Sequence, residues 1–229
     1  MKSLDELQDK IEYRFQDKLL LENALMHSSY VNEKHLSYEH NNERLEFLGD
    51  AVLELISSEF IFLENDTMVE GKMTKLRASL VCEPSLAYVA RQIGLGDYLL
   101  LGNGEIQTGG AKRDSILSDA LEAVIGAIYL DGGFDPAKKF IHQYVLADIE
   151  NRQLFYDSKT VLQEMVQEIN HENTKITYPI LKEEGPDHNK TFYVSCEING
   201  KKYASGSGQT KKMAEQRAAY ETILLLKQK

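Results

Sequence analysis

The chain has 229 residues, 42% hydrophobic and 27% charged, and a formal charge of -10. That length supports one large domain or two small ones with real cores, while no apolar run approaches the ~20 residues of a membrane span. Two cysteines, Cys82 and Cys196, provide neither a disulfide framework nor a zinc site, and the acidity argues against a simple phosphate-backbone binder.

The opening "MKSLDELQDK" lacks the apolar core of a signal peptide, so a cytoplasmic location without membrane attachment is the expectation. Charge is unevenly spread. Residues 1–156 hold 15 Lys+Arg against 26 Asp+Glu, and residues 157–229 hold 11 against 10. An acidic front and a near-neutral back predict two units with different tasks.

The front half reads as helical almost throughout. Apolar residues recur near the helical period in "YRFQDKLLLENALMHSSY", "NNERLEFLGDAVLELISSEFIFL", "GKMTKLRASLVCEPSLAYVARQIGL", "RDSILSDALEAVIGAIYLDGG" and "DPAKKFIHQYVLADIENR". The glycines of "LGDYLLLGNGEIQTGGAKR" predict a surface loop, and Asp131-Gly132-Gly133 a stop. Neither "GNGE" nor "TGGAKR" has the strand–loop–helix context of a nucleotide site, so no nucleotide cofactor is expected.

"NRQLFYDS" reads as the junction, and the pattern then changes. "KTVLQEMVQEINHE" predicts a helix and "TYPILKEE" a strand. "TFYVSCEI" alternates, with Phe192, Val194, Cys196 and Ile198 on one face of a half-buried strand. Asn199-Gly200 is a preferred hairpin turn, "KKYASGS" returns, and "TKKMAEQRAAYETILLLK" closes with a helix capped by Thr210. The predicted architecture is an all-α domain over 1–150, a linker over 151–157 and a small α-β-β-β-α domain over 158–227.

Within the second predicted helix, capped by Asn41 or Asn42, Glu43, Glu46 and Asp50 fall within about 60° of arc at ~100° per residue. Three acids alone also fit a solvated face, where like charges cost only a few tenths of a kcal/mol per pair. A second helix adds Asp119 and Glu122 at i and i+3, in a setting almost wholly apolar, with Ala123, Gly126 and Ala127 small enough to admit a close neighbour. If the two stripes face each other, Glu46, Asp50, Asp119 and Glu122 form an all-oxygen cluster. Such donors suit magnesium or manganese rather than zinc, and clusters of this kind serve phosphoryl chemistry. The remaining histidines, His27, His35, His40, His142 and His171, show no ligand spacing and are expected in core or surface roles.

"ERLEFLGDAVL", "SDALEAVIGAIYLD" and the opening Phe15–Tyr30 pattern resemble the bacterial ribonuclease III family, and residues 159–226 resemble the double-stranded-RNA-binding domain that follows its nuclease. The resemblance covers nearly the whole chain in the family's order. It implies a homodimeric, divalent-metal-dependent endoribonuclease that cuts double-stranded RNA, including ribosomal RNA precursors and other structured transcripts. The products carry 5′-phosphate and 3′-hydroxyl ends with short 3′ overhangs. It further implies Mg2+ with Mn2+ as a substitute, held by Glu46, Asp119 and Glu122, with Asp50 and Glu122 at the positions treated as catalytic.

Glu43 and Glu70 match acids nearer the cleft and dimer interface. Phe47 and Leu48 suit either that interface or the core. In the second domain, Gln163, Glu164 and His188 match positions that reach the minor groove. Lys211 and Lys212 lie where a helix start and two cations meet phosphate, and Gly206 and Gly208 suit close approach to the RNA backbone. Glu215 departs from the broader binding-domain pattern, which often has a cation there, and predicts modest affinity. A dimeric RNA-binding protein with a structural acidic cluster is the alternative. A di-iron carboxylate protein is not supported, because neither of the two acidic helices carries the Glu-x-x-His pair such a site needs.

Overall fold

Gly49 and Gly126 fix the closest approach between the two long helices of the front half, and the rest of that unit is arranged around their crossing. The computed structural model describes residues 3–147, 158–170, 174–185, 190–208 and 210–227. It divides into two compact units, Met1–Ala147 and Asp148–Lys229. The linker expected at 151–157, His171 and His188 lie outside the described residues.

In the first unit, short helices α1 (Leu4–Lys10), α2 (Lys18–Ala24) and α3 (Ser28–Glu33) precede the 22-residue α4 (Glu43–Glu64). Then come α5 (Glu70–Leu80), α6 (Glu83–Ile93), α7 (Asn103–Gln107), the 19-residue α8 (Asp114–Gly132) and α9 (Phe134–Phe140), which runs into a π-helical turn at Ile141–Val145. The expected single helix over "GKMTKLRASLVCEPSLAYVARQIGL" is two, broken where Cys82 takes an extended conformation before Pro84 in the first turn of α6. Proline has no N–H to donate and clashes with a preceding turn, so it begins a helix rather than continuing one. The expected glycine loop contains α7 and two 3₁₀ turns.

α8 is the buried axis. Leu117, Ala120, Leu121, Val124, Ile125 and Ile128 are at most 1% exposed, and α4 and α6 pack against it. At the α4 start, Asn42 holds the cap position without a side-chain bond, while the Oδ1 of Asn41 accepts from the Glu43 N–H at 3.2 Å. Both asparagines are buried.

The second unit has α10 (Ser158–Asn170), β1 (Ile176–Thr177), β2 (Ile180–Glu184), β3 (Thr191–Ile198), β4 (Lys201–Gly208) and α11 (Lys211–Lys227). β3 is central and antiparallel to all three other strands. Val194, Cys196 and Ile198 join Leu162, Val166, Ala214, Ala218, Ala219 and Ile223 in one core. The Asn199-Gly200 turn has φ of 52° and 78°, the left-handed pair such a hairpin requires. Ser195, expected on the solvent face, is fully buried; its N–H donates to the Pro179 carbonyl beside a bulge in β2. "TYPILKEE" therefore forms two short strands rather than one, as Pro179 has no N–H for the ladder.

Candidate metal and nucleic-acid sites

The α4–α8 crossing is unusually intimate. A Cβ on Gly49 would lie 1.8 Å from the Glu122 carbonyl oxygen, and one on Gly126 would lie 2.3 Å from that of Leu45. With no side chain at either position the backbones touch, and the residues one turn away are brought together above the contact. Glu46 and Asp50 flank Gly49 along α4, while Asp119 and Glu122 lie two turns and one turn before Gly126 on α8. Carboxylate oxygens of Glu46, Asp119 and Glu122 consequently lie within 4.8 Å of one another.

Their environment disfavours charge. Burial, then the charges of Asp50, Glu46 and Asp119, push the Glu122 carboxyl up to about 8. Burial and then Asp119, Glu43 and Asp50 raise Glu46. Burial also raises Asp119, partly offset by a hydrogen bond from the Ser118 hydroxyl and by His27. Three half-buried acids without a lysine or arginine among the groups shaping them are an arrangement a cation relieves.

The donor set tests well against a hard divalent ion. Oxygens sharing an octahedral ion at about 2.0–2.1 Å lie about 2.9 Å apart when adjacent and about 4.2 Å when opposite, so three oxygens within 4.8 Å of one another reach one ion by side-chain movement of about 1–2 Å. Asp50 is exposed and outside the three-oxygen group, although its charge reaches both glutamates.

Glu43 and Glu70 lie outside the three-oxygen group. Glu43 is exposed and accepts a short hydrogen bond from the Tyr38 hydroxyl. Glu70 is exposed, accepts from Thr74 at 2.9 Å, and lines an apolar groove with Leu55, Phe62 and Met73. Of the two apolar candidates in the signature helix, Phe47 is 80% exposed and so not core, whereas Leu48 is half-buried. Phe47, Leu55 and Phe62 share one solvent-facing stripe of α4, beside the acidic stripe.

His27, expected in a core or surface role, is half-buried and caps α3 through its side chain.

In the second unit, Gln163, Glu164, Lys211 and Lys212 are all exposed. Thr210 caps α11, its hydroxyl accepting from the Met213 N–H at 3.2 Å. Two expectations change here. A Cβ on Gly206 would meet the Ala218 N at 2.3 Å, and one on Gly208 the Met213 Cβ at 2.7 Å. These glycines let β4 press against α11 rather than opening a path to RNA. Glu215 is half-buried and binds the Lys159 ammonium at 2.6 Å, with that lysine 4.9 Å from the centre of the Tyr178 ring. It joins α10 to α11, so its charge is already partnered.

Residues 17–149 match the family model described as Ribonuclease-III-like, and residues 158–226 match the double-stranded RNA binding motif. A protein of Oceanobacillus iheyensis named Ribonuclease 3 is 49% identical over 219 residues, covering 95% of each chain. Another of that name from Caldanaerobacter subterraneus is 46% identical over 220 residues, again covering 95% of each. The crystal structure of the nuclease domain of ribonuclease III from Campylobacter jejuni superposes with a TM-score of 0.58 at 46% identity, covering 63% of this chain and 95% of that one.

Proposed function

We propose a chemistry for this chain from the premise that it belongs to the ribonuclease III family and is an endoribonuclease specific for double-stranded RNA. In this reading Glu46, Asp119 and Glu122 hold a divalent cation, and Asp50 orients and deprotonates the water that attacks the phosphodiester. The observation that carries it is the approach of three carboxylates, from two helices, to within 4.8 Å. All-oxygen donors favour Mg2+, with Mn2+ as a substitute. The bound cation supplies neutralisation of phosphate charge and a more acidic water.

The remaining work falls to the chain. Asp50 stands outside the ligand set yet its charge acts on Glu122, which suits a proton acceptor more than a ligand. Attack by water with departure of the 3′ oxygen leaves 5′-phosphate and 3′-hydroxyl ends. Short 3′ overhangs require two such sites acting across one duplex, hence a homodimer. The apolar stripe of Phe47, Leu55 and Phe62, adjoining the acidic stripe, supports a partner surface there. The Leu55–Phe62–Met73 groove that Glu70 borders extends it.

Duplex recognition is assigned to the second unit, through Lys211 and Lys212 on phosphate and Gln163 and Glu164 in the minor groove, with His188 as a further candidate. Duplex RNA is read by shape, 2′-hydroxyl and phosphate rather than by base edges. Base-paired precursors of ribosomal RNA and other folded transcripts, met in the cytoplasm, are the proposed substrates. Among the described residues no helix is long and apolar enough to cross a membrane.

The test is cleavage of a plain RNA hairpin with Mg2+ or chelator, followed by end analysis. Cutting only with the cation, yielding 5′-phosphates, supports the proposal. Duplex binding without cutting at any Mg2+ concentration favours the alternative of a binding protein with a structural acidic cluster.

A further inference from the structure

The acidic stripe of α4 does not end at Asp50. Glu54 follows at i+4, about 40° further round the helix at ~100° per residue, and so continues the line of Glu46 and Asp50. Residues at that spacing are surface neighbours, with Cβ atoms about 5–6 Å apart. The charge of Glu54, like that of Asp50, acts on Glu122. Two carboxylates one turn apart on one face are themselves suited to share a hard cation. Yet Glu54 is absent from the three-oxygen group of Glu46, Asp119 and Glu122.

What engages Glu54 is an arginine of the next helix. Arg77 on α5 places its Nε 2.8 Å from the Glu54 Oε2, and its Nη1 donates to the Ser58 hydroxyl at 2.8 Å. That hydroxyl donates in turn to the Glu54 carbonyl at 2.6 Å. The guanidinium therefore holds Glu54 twice, directly at the carboxylate and through Ser58 at the backbone. A lysine ammonium has no such planar fork. The two side chains are 36% and 37% exposed, so this charge-assisted bond is partly sheltered from water. Packing does not call for the charge, because Leu76 and Leu80, on either side of Arg77 in α5, are buried. Among the described residues Arg77 is the one cation paired with the stripe.

We infer that Arg77 is a positioning residue: its pairing with Glu54 closes the acidic stripe after Asp50, so that the cation stays on Glu46, Asp119 and Glu122 and Asp50 is left to the attacking water. The inference rests on that cluster being the cation site. Released from Arg77, Glu54 pairs with Asp50 around a further ion, and Asp50 is lost to the reaction.

The experiment is Mn2+ calorimetry on the cation-free full chain, with duplex cleavage and thermal melts alongside. Asp119→Asn tests the underlying site: Mn2+ affinity unchanged in that variant refutes the site itself, and with it the role of Arg77. Given loss of binding there, Arg77→Met should bind one more Mn2+ per chain than the parent. Its kcat should fall about tenfold, with KM for duplex within about twofold. Adding Glu54→Gln to Arg77→Met should return the Mn2+ count to that of the parent and kcat to within about threefold. A purely structural role predicts a lower melt for Arg77→Met but no additional ion. A parent Mn2+ count or a parent kcat in Arg77→Met overturns the inference, and so does a defect that Glu54→Gln leaves in place. If Arg77→Met does not fold, Arg77→Gln, which keeps a donor for Ser58, is judged by the same criteria. Failure of both to fold makes Arg77 a support for the fold and likewise overturns the inference.

Discussion

Gly49 and Gly126 sit opposite each other where α4 crosses α8, with 3.1 Å between the Gly49 nitrogen and the place a Cβ on Gly126 would occupy. Everything at the acidic site depends on that contact, because a wider crossing would move Glu46 away from Asp119 and Glu122. Gly49→Ala sets a methyl against backbone rather than a flexible side chain, and the helices must part. The expected cost is about 3 kcal/mol of stability, with Mn2+ affinity falling at temperatures where the variant is folded. Denaturant unfolding and calorimetry check this. An alanine at 49 that leaves both unchanged contradicts the close crossing.

Glu122 couples the site to pH. Its carboxyl is raised from 4.5 to about 8 by burial and the neighbouring acids. Between those values the folded chain retains a proton the unfolded chain has lost, so cation-free stability falls as pH rises through the window. The raised Glu46 and Asp119 act in the same direction. Glu122→Gln should therefore melt above the parent at pH 8 in chelator and about equal to it near pH 4.5. The same variant should lose more than ~10²-fold in cleavage while still binding duplex. A parent melting temperature that is flat across the window contradicts the environment assigned to Glu122.

Lys211 and Lys212 present two exposed cations at the start of α11. Lys211→Ala with Lys212→Ala should weaken duplex binding evenly across sequences. The slope of log affinity against log salt should fall by about 2. Filter binding at several salt concentrations measures it, and an unaltered slope removes both lysines from the phosphate contacts.

Glu215 is held by Lys159. Glu215→Ala should cost the second unit about 1 kcal/mol, a modest figure because both side chains are partly exposed. It should leave the salt slope of RNA binding intact. A steeper slope or tighter binding in this variant would mean that Glu215 opposes phosphate after all.

Much of this was legible in the residues. The acid spacing in "NNERLEFLGD" and "SDALEAVIGAIYL" put each carboxylate on a definite helix face, and the small residues of the second segment suggested a close neighbour. Alternation in "TFYVSCEI" marked β3, and Asn-Gly marked its turn. What sequence could not supply was the identity of the facing surfaces. Gly49 reads as an ordinary helix glycine until α8 is laid over it. Ser195 reads as solvent-facing, yet it is fully buried, with its N–H bonded to the Pro179 carbonyl. Glu215 reads as a lost phosphate contact until Lys159 arrives from another helix, 56 positions away in sequence.

The account stands or falls on where a divalent ion binds. A crystal structure of the chain with Mn2+, read by anomalous scattering, should place an ion coordinated by Glu46, Asp119 and Glu122, lost in Glu122→Gln. A manganese peak away from these three carboxylates, in crystals that still cleave duplex RNA, would contradict it.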